Sequence, residues 1–333
     1  MKTEQDNLFS LIESWEESNI KIALQIIKKN ATLNTAVEER YMPLLSFVGA
    51  KSLAALKSLP KKLSTPKFLK KQWFPNEASQ AVLKTIPINE ITLGNKSLTE
   101  FPEWLCYLGR LRILDLRNSD SWKAKNKNKI AKIPNAIEHL KHLEELYISR
   151  VELKVVPKKL TQLTQLKVLD LHYNKLEKLP NLSPLRELKI LHLFINQLAE
   201  IKGIENLSEL EHLDVGANNL TSITDKIGTL EKLQVLNLCT NKITSLPNSL
   251  CTLKHLEKLD IYRLPLNGQL PKDFSKLNYL PWLRLDNIGT STLPSCLKEF
   301  TSLRTLRCTY ENKTCELSNK PAKIQAFIAK NIE

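Results

Sequence analysis

One hydrophobic pattern repeats four times between Leu166 and Leu253. Each copy reads L-x-x-L-x-L-x-x-N-x-L and is followed by a looser stretch of apolar positions. The central L-x-L has a period of two, which predicts a short strand with one buried face. A single copy cannot bury its leucines, so successive copies are predicted to stack with their strands in a parallel sheet. A coiled coil is excluded because neither a 3.5- nor a 3.6-residue period runs through the copies.

An asparagine follows the strand in each of the four regular copies, at Asn174, Asn196, Asn218 and Asn241. A buried turn at this point leaves backbone N–H and C=O groups that need partners. Since an amide side chain both donates and accepts hydrogen bonds, a stack of asparagines is expected to supply them. The other copies lack this asparagine, and we expect looser turns there: Lys96, Ser119, Val151, Leu264, Ile288 and Glu311.

This pattern resembles that of the leucine-rich repeat family, in particular the intracellular type with copies of roughly 23 residues. The resemblance covers Ile88 to about Leu317. It implies an α/β repeat solenoid, a horseshoe with a parallel β-sheet on its concave face and helical caps at both ends. Ten copies are predicted, starting at Ile88, Leu111, Leu143, Leu166, Leu188, Leu210, Leu233, Leu256, Leu280 and Leu303.

We expect three regions along the chain. Residues 1–87 form a helical N-terminal region and cap, which is rich in lysine from 51 to 76, residues 88–317 form the solenoid, and residues 318–333 form a C-terminal capping helix. Apolar positions at helical spacing predict the N-terminal helices, and Pro43 is expected to interrupt the third. The N-terminal region should cover the first strand, since an open solenoid end exposes leucines and unpaired strand groups.

The second copy is longer than the others. The step from Leu111 to Leu143 is 32 residues, against 23 from Ile88 to Leu111, which places a nine-residue insertion near 121–129. This insertion carries Trp122 and four lysines, and it leaves the chain just after a strand. We therefore expect it to stand at the rim of the concave face.

Composition narrows the class of protein. The 333 residues are 42% hydrophobic and carry a net charge of +14, which favours acidic partners, although lysine also keeps a leucine-rich surface soluble. The acidic N-terminus lacks the apolar run of a signal peptide, and no stretch approaches the ~18 apolar residues of a membrane span. We therefore expect a cytoplasmic protein with reduced thiols. The resemblance leaves open a C-terminal clasp between Cys308 and Cys315, as in secreted relatives.

Strand positions beside the buried leucines face the concave surface. They place an apolar and aromatic group there, with His172 beside it: Tyr147, Tyr173, Phe194 and Ile195. Solvent-facing Phe and Ile are typical of interface anchors, so we expect a partner site. The alternative is that an N-terminal element or a neighbouring side chain covers them. Toward the C-terminal end lie Tyr262 and Trp282, with three arginines that we expect to contact acidic groups of the partner: Arg263, Arg284 and Arg307.

Asp170, His192 and Asp214 occupy like positions on three neighbouring strands. A histidine between two carboxylates is expected to have a raised pKa, and the trio is expected to form a hydrogen-bonded ladder. The alternative is a structural role, because Asp before the third leucine is common in this family. No serine nucleophile joins the trio, and no P-loop, HExxH, GxSxG or CxxC motif is present. The sequence therefore predicts no catalytic site, no metal site and no cofactor.

These features together predict a non-enzymatic scaffold or adaptor that binds a protein or peptide on its concave face. The alternative is a basic binder of nucleic acid or of an anionic membrane, acting through the lysine-rich segments 51–71 and 123–129. Few aromatic residues interleave these lysines, which disfavours nucleic acid. Salt separates the two functions, because phosphate binding weakens steeply as salt rises.

Overall fold

The computed structural model describes residues 3–48, 50–63, 73–121, 123–289, 293–310 and 313–331. Within these ranges the chain forms one eleven-stranded sheet whose strands follow sequence order. Strands β1 to β10 pair in parallel, which confirms the predicted solenoid. The strands are β1 Glu90–Thr92, β2 Ile113–Asp115, β3 Glu145–Tyr147, β4 Val168–Asp170, β5 Ile190–His192, β6 His212–Asp214, β7 Val235–Asn237, β8 Lys258–Asp260, β9 Trp282–Arg284, β10 Thr305–Tyr310 and β11 Lys313–Ser318.

The middle residue of each parallel strand points into the core. Leu169, Leu191, Leu213 and Leu236 pair in register as one row, and all four are fully buried. Neighbours in this row are separated by the spacing of adjacent strands, about 4.8 Å. The row continues in both directions through Ile91, Leu114, Leu146, Leu259, Leu283 and Leu306. The leucines therefore form one column that no single turn could bury.

Between strands, the chain returns mostly through short 3-10 helices. Proline stands directly before several of them, for example Pro102, Pro134 and Pro157, where its fixed φ suits the entry to a helix. Each buries apolar side chains beneath the sheet. These helices are Glu103–Tyr107, Asn135–His139, Lys158–Gln162, Ile204–Asn206, Ile227–Thr229, Asn248–Thr252, Phe274–Leu277 and Ser295–Glu299.

Helices of the N-terminal region cover the first turn of the solenoid. Trp104 of that turn is fully buried, and its ring packs edge-on against Phe47 at 5.7 Å between centroids. Trp15 Nε1 also donates to Thr85 Oγ1, at 3.1 Å. The helices are α1 Glu4–Glu13, α2 Glu17–Ile27, α3 Ala31–Phe47, α4 Leu59–Leu63 and α5 Glu77–Leu83, with a 3-10 helix at Leu53–Ser58.

Pro43 does not interrupt the third helix, so that expectation is wrong. Helix α3 runs through it from Ala31 to Phe47. A proline inside a helix removes one backbone hydrogen bond and costs about 3 kcal/mol. The side chains around it, Tyr41, Leu44 and Leu45, are fully buried, and their packing holds the helix together through this defect.

A hairpin that the sequence pattern did not predict closes the other end of the sheet. Strand β10 is six residues long and pairs antiparallel with β11, so Cys308 lies opposite Cys315. Helix α6, Pro321–Asn331, follows and buries Ile324 and Ile328. Strand β11 was missed because its six residues contain a single leucine and no copy of the repeat pattern.

The four predicted asparagines are buried at equivalent places in successive turns. Asn196 illustrates the geometry: its Oδ1 accepts the N–H of Leu176, and its Nδ2 donates to the carbonyls of Leu171 and Leu193, all at 3.0 Å. Asn174, Asn218 and Asn241 make the same three kinds of hydrogen bond. These amides tie each turn to the one before it, and we call them the asparagine ladder.

Asn128 extends the asparagine ladder into the second turn, where Ser119 was expected to break it. Its side chain binds four backbone groups of the first two turns at 2.8 to 3.0 Å: Lys96 N, Leu98 N, Leu93 O and Leu116 O. The insertion therefore occupies 119–127, two residues earlier than expected, and Ile130 beyond it is fully buried. Removing 119–127 leaves LRILDLRNNKI, which fits the repeat pattern, so the sequence did contain the signal.

We predict that Asn128→Ala lowers the free energy of unfolding by about 3 kcal/mol, because it leaves buried backbone groups without partners. Urea denaturation followed by circular dichroism measures the change. Asn126→Ala is the matched control: this asparagine lies in the same insertion but is exposed, so its replacement should change stability by less than about 0.5 kcal/mol. Equal stability of the two variants would contradict the role of Asn128.

Candidate functional site

Several strands end on a side chain that accepts the backbone N–H two residues further on. Asp170 Oδ1 accepts His172 N at 3.2 Å, and Asp214 Oδ1 accepts Gly216 N at 3.1 Å. The same contact occurs at Asp115, Asn237 and Asp260, at 3.0 Å in each case. These side chains therefore stabilise the turn at the end of each strand, and most of the acidic side chains in this row of the concave face are engaged in that way.

The residue just before the asparagine-ladder position adopts a left-handed backbone in most turns. Its φ lies between 51° and 61° in eight turns: Asn95, Arg150, Tyr173, Ile195, Ala217, Thr240, Arg263 and Asn287. In most turns its N–H donates to a carbonyl of the next turn, as Tyr173 N does to Phe194 O at 2.8 Å. Glycine and asparagine tolerate this conformation, whereas a bulky residue costs roughly 1–3 kcal/mol. We call these residues the left-handed row.

Aromatic residues group at the ends of β4 and β5. Tyr173 packs edge-on against Phe194 and against His172, with ring centroids 5.9 and 5.6 Å apart. The guanidinium of Arg150 lies 3.8 Å from the centre of the Tyr173 ring. Tyr173 is 38% exposed, whereas Phe194 and Ile195 are half-buried rather than fully solvent-facing as expected. Neighbouring side chains cover part of them, which was the alternative.

Tyr147 lies apart from this group, one strand earlier. Its hydroxyl donates to Glu145 Oε2 at 2.7 Å, and the guanidinium of Arg117 lies 4.4 Å from its ring centre. Burial, together with the carboxylate of Glu145, raises the pKa of Tyr147 to about 12. The ring is therefore held in place by its own neighbours and stays neutral at physiological pH.

Small residues follow the aromatic group along the sheet. A Cβ atom added at Gly216 would lie 3.0 Å from Phe194 Cδ2 and 2.9 Å from Cys239 Sγ, so the backbone passes close beneath both side chains. Ala217 and Thr240 occupy the strand ends between this point and Tyr262. The sequence signal for this close packing was the pair of small residues, Gly216 and Ala217, at the end of one copy.

Farther along the sheet, aromatic rings carry basic side chains. Arg284 lies 3.7 Å from the centre of the Tyr262 ring and Arg263 lies 5.0 Å from it, while Lys258 Nζ lies 4.5 Å from the centre of Trp282. Arg263 is exposed, and within the described ranges no carboxylate lies at ion-pair distance from it. It is thus a basic side chain of this region that stands open to an acidic group.

Two of the predicted arginines are already engaged with acids of this chain. Arg284 Nε lies 3.0 Å from Asp286 Oδ1, and Arg284 Nη1 lies 3.7 Å from Asp260 Oδ2. Arg307 Nε lies 3.3 Å from Glu316 Oε2 of β11. Both side chains therefore already have acids of this chain beside them, and their contact with acidic groups of a partner stays a prediction.

His192 lies between Asp170 and Asp214 in the strand register, as the spacing indicated. Its pKa is lowered rather than raised, because burial disfavours the imidazolium more than the two carboxylates favour it. Burial likewise raises the pKa of Asp214. No hydrogen bond joins the ring to either carboxylate in the described chain, so the predicted hydrogen-bonded ladder is wrong.

A shallow trough of about 560 Å³ lies beside the start of the insertion. It brings Ser149 close to His172, whose Nδ1 lies 2.6 Å from Asp170 Oδ1. This composition suggests a nucleophile with a base, but Ser149 is fully buried and its Oγ makes no hydrogen bond within the described ranges. The hydroxyl is therefore neither activated nor reachable by a substrate in this conformation.

The remaining predicted features are the lysine-rich segments and the insertion. Trp122, together with Lys67, Lys70 and Lys71, lies outside the described residues. Lysines 123, 125, 127 and 129 are exposed around the insertion. Among the described residues, no three histidine, cysteine or acidic side chains converge as a metal site would require, and no helix is long and apolar enough to cross a bilayer.

The chain matches the leucine-rich repeat region over residues 103–224 and 174–323. These two overlapping matches run from 103 to 323, about two thirds of the 333 residues, so the chain belongs to the leucine-rich repeat family. The family and its fold generally serve as non-enzymatic scaffolds. Comparison with curated proteins gives no match.

Three solved structures illustrate the similarity in fold. A leucine-rich repeat protein of Leptospira interrogans is 24% identical with a TM-score of 0.50, covering 75% of this chain and 80% of that one. An internalin of Listeria monocytogenes is 20% identical with a TM-score of 0.51, covering 69% and 68%. A plant peptide hormone receptor in complex with RGF2 is 22% identical with a TM-score of 0.56, covering 69% and 41%. At these identities the similarity establishes the fold alone.

We predict that His192 titrates below 6.5, the usual value for an unfolded histidine. The unfolded chain then binds the proton more readily than the folded chain, so the stability that neutral His192 supports is lost as pH falls below about 6.5. An NMR titration of the imidazole gives the midpoint. In His192→Gln, stability should fall less between about pH 7 and 5. A midpoint above 6.5 in the folded chain would refute the effect of burial.

Proposed function

We propose that this protein is a binding scaffold that holds a protein or peptide partner on its concave face. The observation that carries the proposal is the aromatic group at the ends of β4 and β5. Four large apolar side chains are markedly exposed among the described residues, and Tyr173 is the one on this face. Its ring carries Arg150 on one side and Phe194 on the other, an arrangement that suits an interface anchor.

The structural neighbours support the same class of function. The plant receptor was solved with a peptide hormone bound, as its title states, and a second plant receptor ectodomain was solved with Casparian strip integrity factor 2. This chain spans 41% and 32% of those two proteins. Their partners are therefore not carried over, and only binding of a protein or peptide is proposed here.

Ion pairs limit the positive surface outside the lysine-rich segments 51–71 and 123–129. Five lysines are paired with glutamates of an adjacent turn at 2.6 to 3.1 Å: Lys159–Glu138, Lys167–Glu144, Lys175–Glu152, Lys189–Glu211 and Lys232–Glu209. A row of alternating signs gives a phosphate backbone little continuous positive surface. The cytoplasmic location expected from the sequence stays a prediction.

We predict that Tyr173→Asp abolishes retention of the partner in affinity capture from a native lysate, because it places a charge within the aromatic group. Aspartate tolerates the left-handed backbone at this position, so the variant should fold. Val155→Asp is the matched control, since Val155 is 55% exposed and apolar but lies outside the concave face. Circular dichroism verifies that both variants are folded.

The same capture distinguishes the two functions when it is repeated at increasing salt. Retention through aromatic contacts should weaken modestly between about 50 and 200 mM salt, whereas phosphate binding falls by orders of magnitude over that range. Partner retention by folded Tyr173→Asp equal to that of the parent chain would refute the concave-face site. Steep loss with salt, together with nucleic acid in the eluate, would favour the basic alternative.

A further inference from the structure

The left-handed row is filled in an uneven way. Near its two ends stand Asn95 and Asn287, the non-glycine type that tolerates this backbone best. Arg150, Tyr173, Ile195 and Arg263 occupy it instead in four turns between them. Ile195 is the extreme case, because a β-branched residue in this conformation is an outlier. Folding alone does not favour these residues, which points to another role for their side chains.

The backbone N–H groups of these residues are already engaged within the fold. Arg150 N, Ile195 N and Arg263 N each donate to a carbonyl of the next turn, at 3.0 to 3.1 Å. The side chains are what distinguishes one position of the row from the next for a molecule that lies along the strand ends. Tyr173 and Ile195 offer apolar surface there, and Arg150 and Arg263 offer positive charge on either side of it.

We propose that the partner contributes an extended segment that lies along the left-handed row, with an acidic residue near each end and a large apolar residue between them. This inference rests on the proposed function and specifies the partner. Arg150 follows β3 and Arg263 follows β8, so five strand spacings of ~4.8 Å separate them by about 24 Å. An extended segment of about eight residues spans that length at ~3.3 Å per residue.

The apolar residue of the segment is placed by the same arithmetic. Ile195 follows β5, two strand spacings from Arg150, or about 10 Å, which corresponds to about three residues. The segment therefore has its large apolar residue fourth from the end at Arg150, beside Tyr173 and Phe194.

Charge complementarity supports acidic ends. Arg263 is exposed, and no carboxylate within the described ranges pairs with it. Arg150 Nε lies 2.6 Å from Asp120 Oδ1 but without the alignment of a hydrogen bond, and the Asp120 side chain is 84% exposed in the insertion. A carboxylate of the partner can replace Asp120 there, because a poorly aligned and solvated ion pair contributes little.

The test uses the full chain and fluorescein-labelled octapeptides, measured by fluorescence anisotropy. The peptides carry Glu at both ends, Trp at the fourth or fifth position to cover both directions, and Ser or Thr elsewhere. We expect the parent chain to bind one of these two peptides about ten-fold more tightly than it binds the same peptide with Gln in place of both Glu residues. Binding that does not depend on the terminal acids, or no binding in either direction, overturns the proposal.

Variants of the left-handed row separate recognition from packing. Ile195→Asn should raise the midpoint of urea denaturation and should lower the affinity for the octapeptide with Glu at both ends by about ten-fold. Arg263→Asn should raise the midpoint, and it should abolish the difference in affinity between Glu and Gln at the peptide end nearest to Arg263. Ser97→Asn is the matched control: Ser97 is exposed and left-handed but lies outside the row, so it should raise the midpoint and leave affinity unchanged.

A lower midpoint in both Ile195→Asn and Arg263→Asn would show that these side chains stabilise the fold, and would overturn the inference. Unchanged affinity in both variants would do the same. In either case, partner capture that still depends on Tyr173 would leave the proposed function standing, whereas loss of that dependence would remove both.

Discussion

Hydrogen bonds between turns are the constraint on which the structure depends. A turn of this chain cannot satisfy its own backbone: Asn196 serves carbonyls of two turns at once, and it accepts an N–H from the turn before its own. Buried apolar area alone would tolerate turns of variable length. The asparagine ladder does not, because each amide must meet fixed groups, and this keeps the strand ends in a straight row with a uniform backbone.

The architecture could be predicted from the repeat, whereas features that depend on neighbours in space could not. The leucine column followed from spacing alone, since L-x-L has one structural reading when it recurs. His192 was misjudged because sequence shows its flanking carboxylates and not its burial, and burial decides the pKa. The contact of Arg284 with Asp260 was not foreseen because the two side chains meet only when adjacent strands stack. The insertion was misplaced because its asparagines and lysines resemble those of the repeat it interrupts.

Stability and recognition compete at the strand ends of the concave face. The fold imposes a left-handed residue in turn after turn, and most side chains oppose it. Asn95 and Asn287 tolerate this backbone and therefore favour the stability of the fold. Ile195 has the same backbone but carries a side chain that offers apolar surface instead. The backbone is the same in each of these turns, so the side chains of the left-handed row can differ without altering the path of the chain.

The antiparallel hairpin at the C-terminal end has a consequence for association between molecules. In the parallel part of the sheet each turn continues the direction and spacing of the turn before it. Strand β11 runs the opposite way, so a turn stacked on it in the direction of β1 to β10 would lie antiparallel to it. The hairpin therefore ends the parallel register of the solenoid, and a second copy of this chain could not continue that register head to tail.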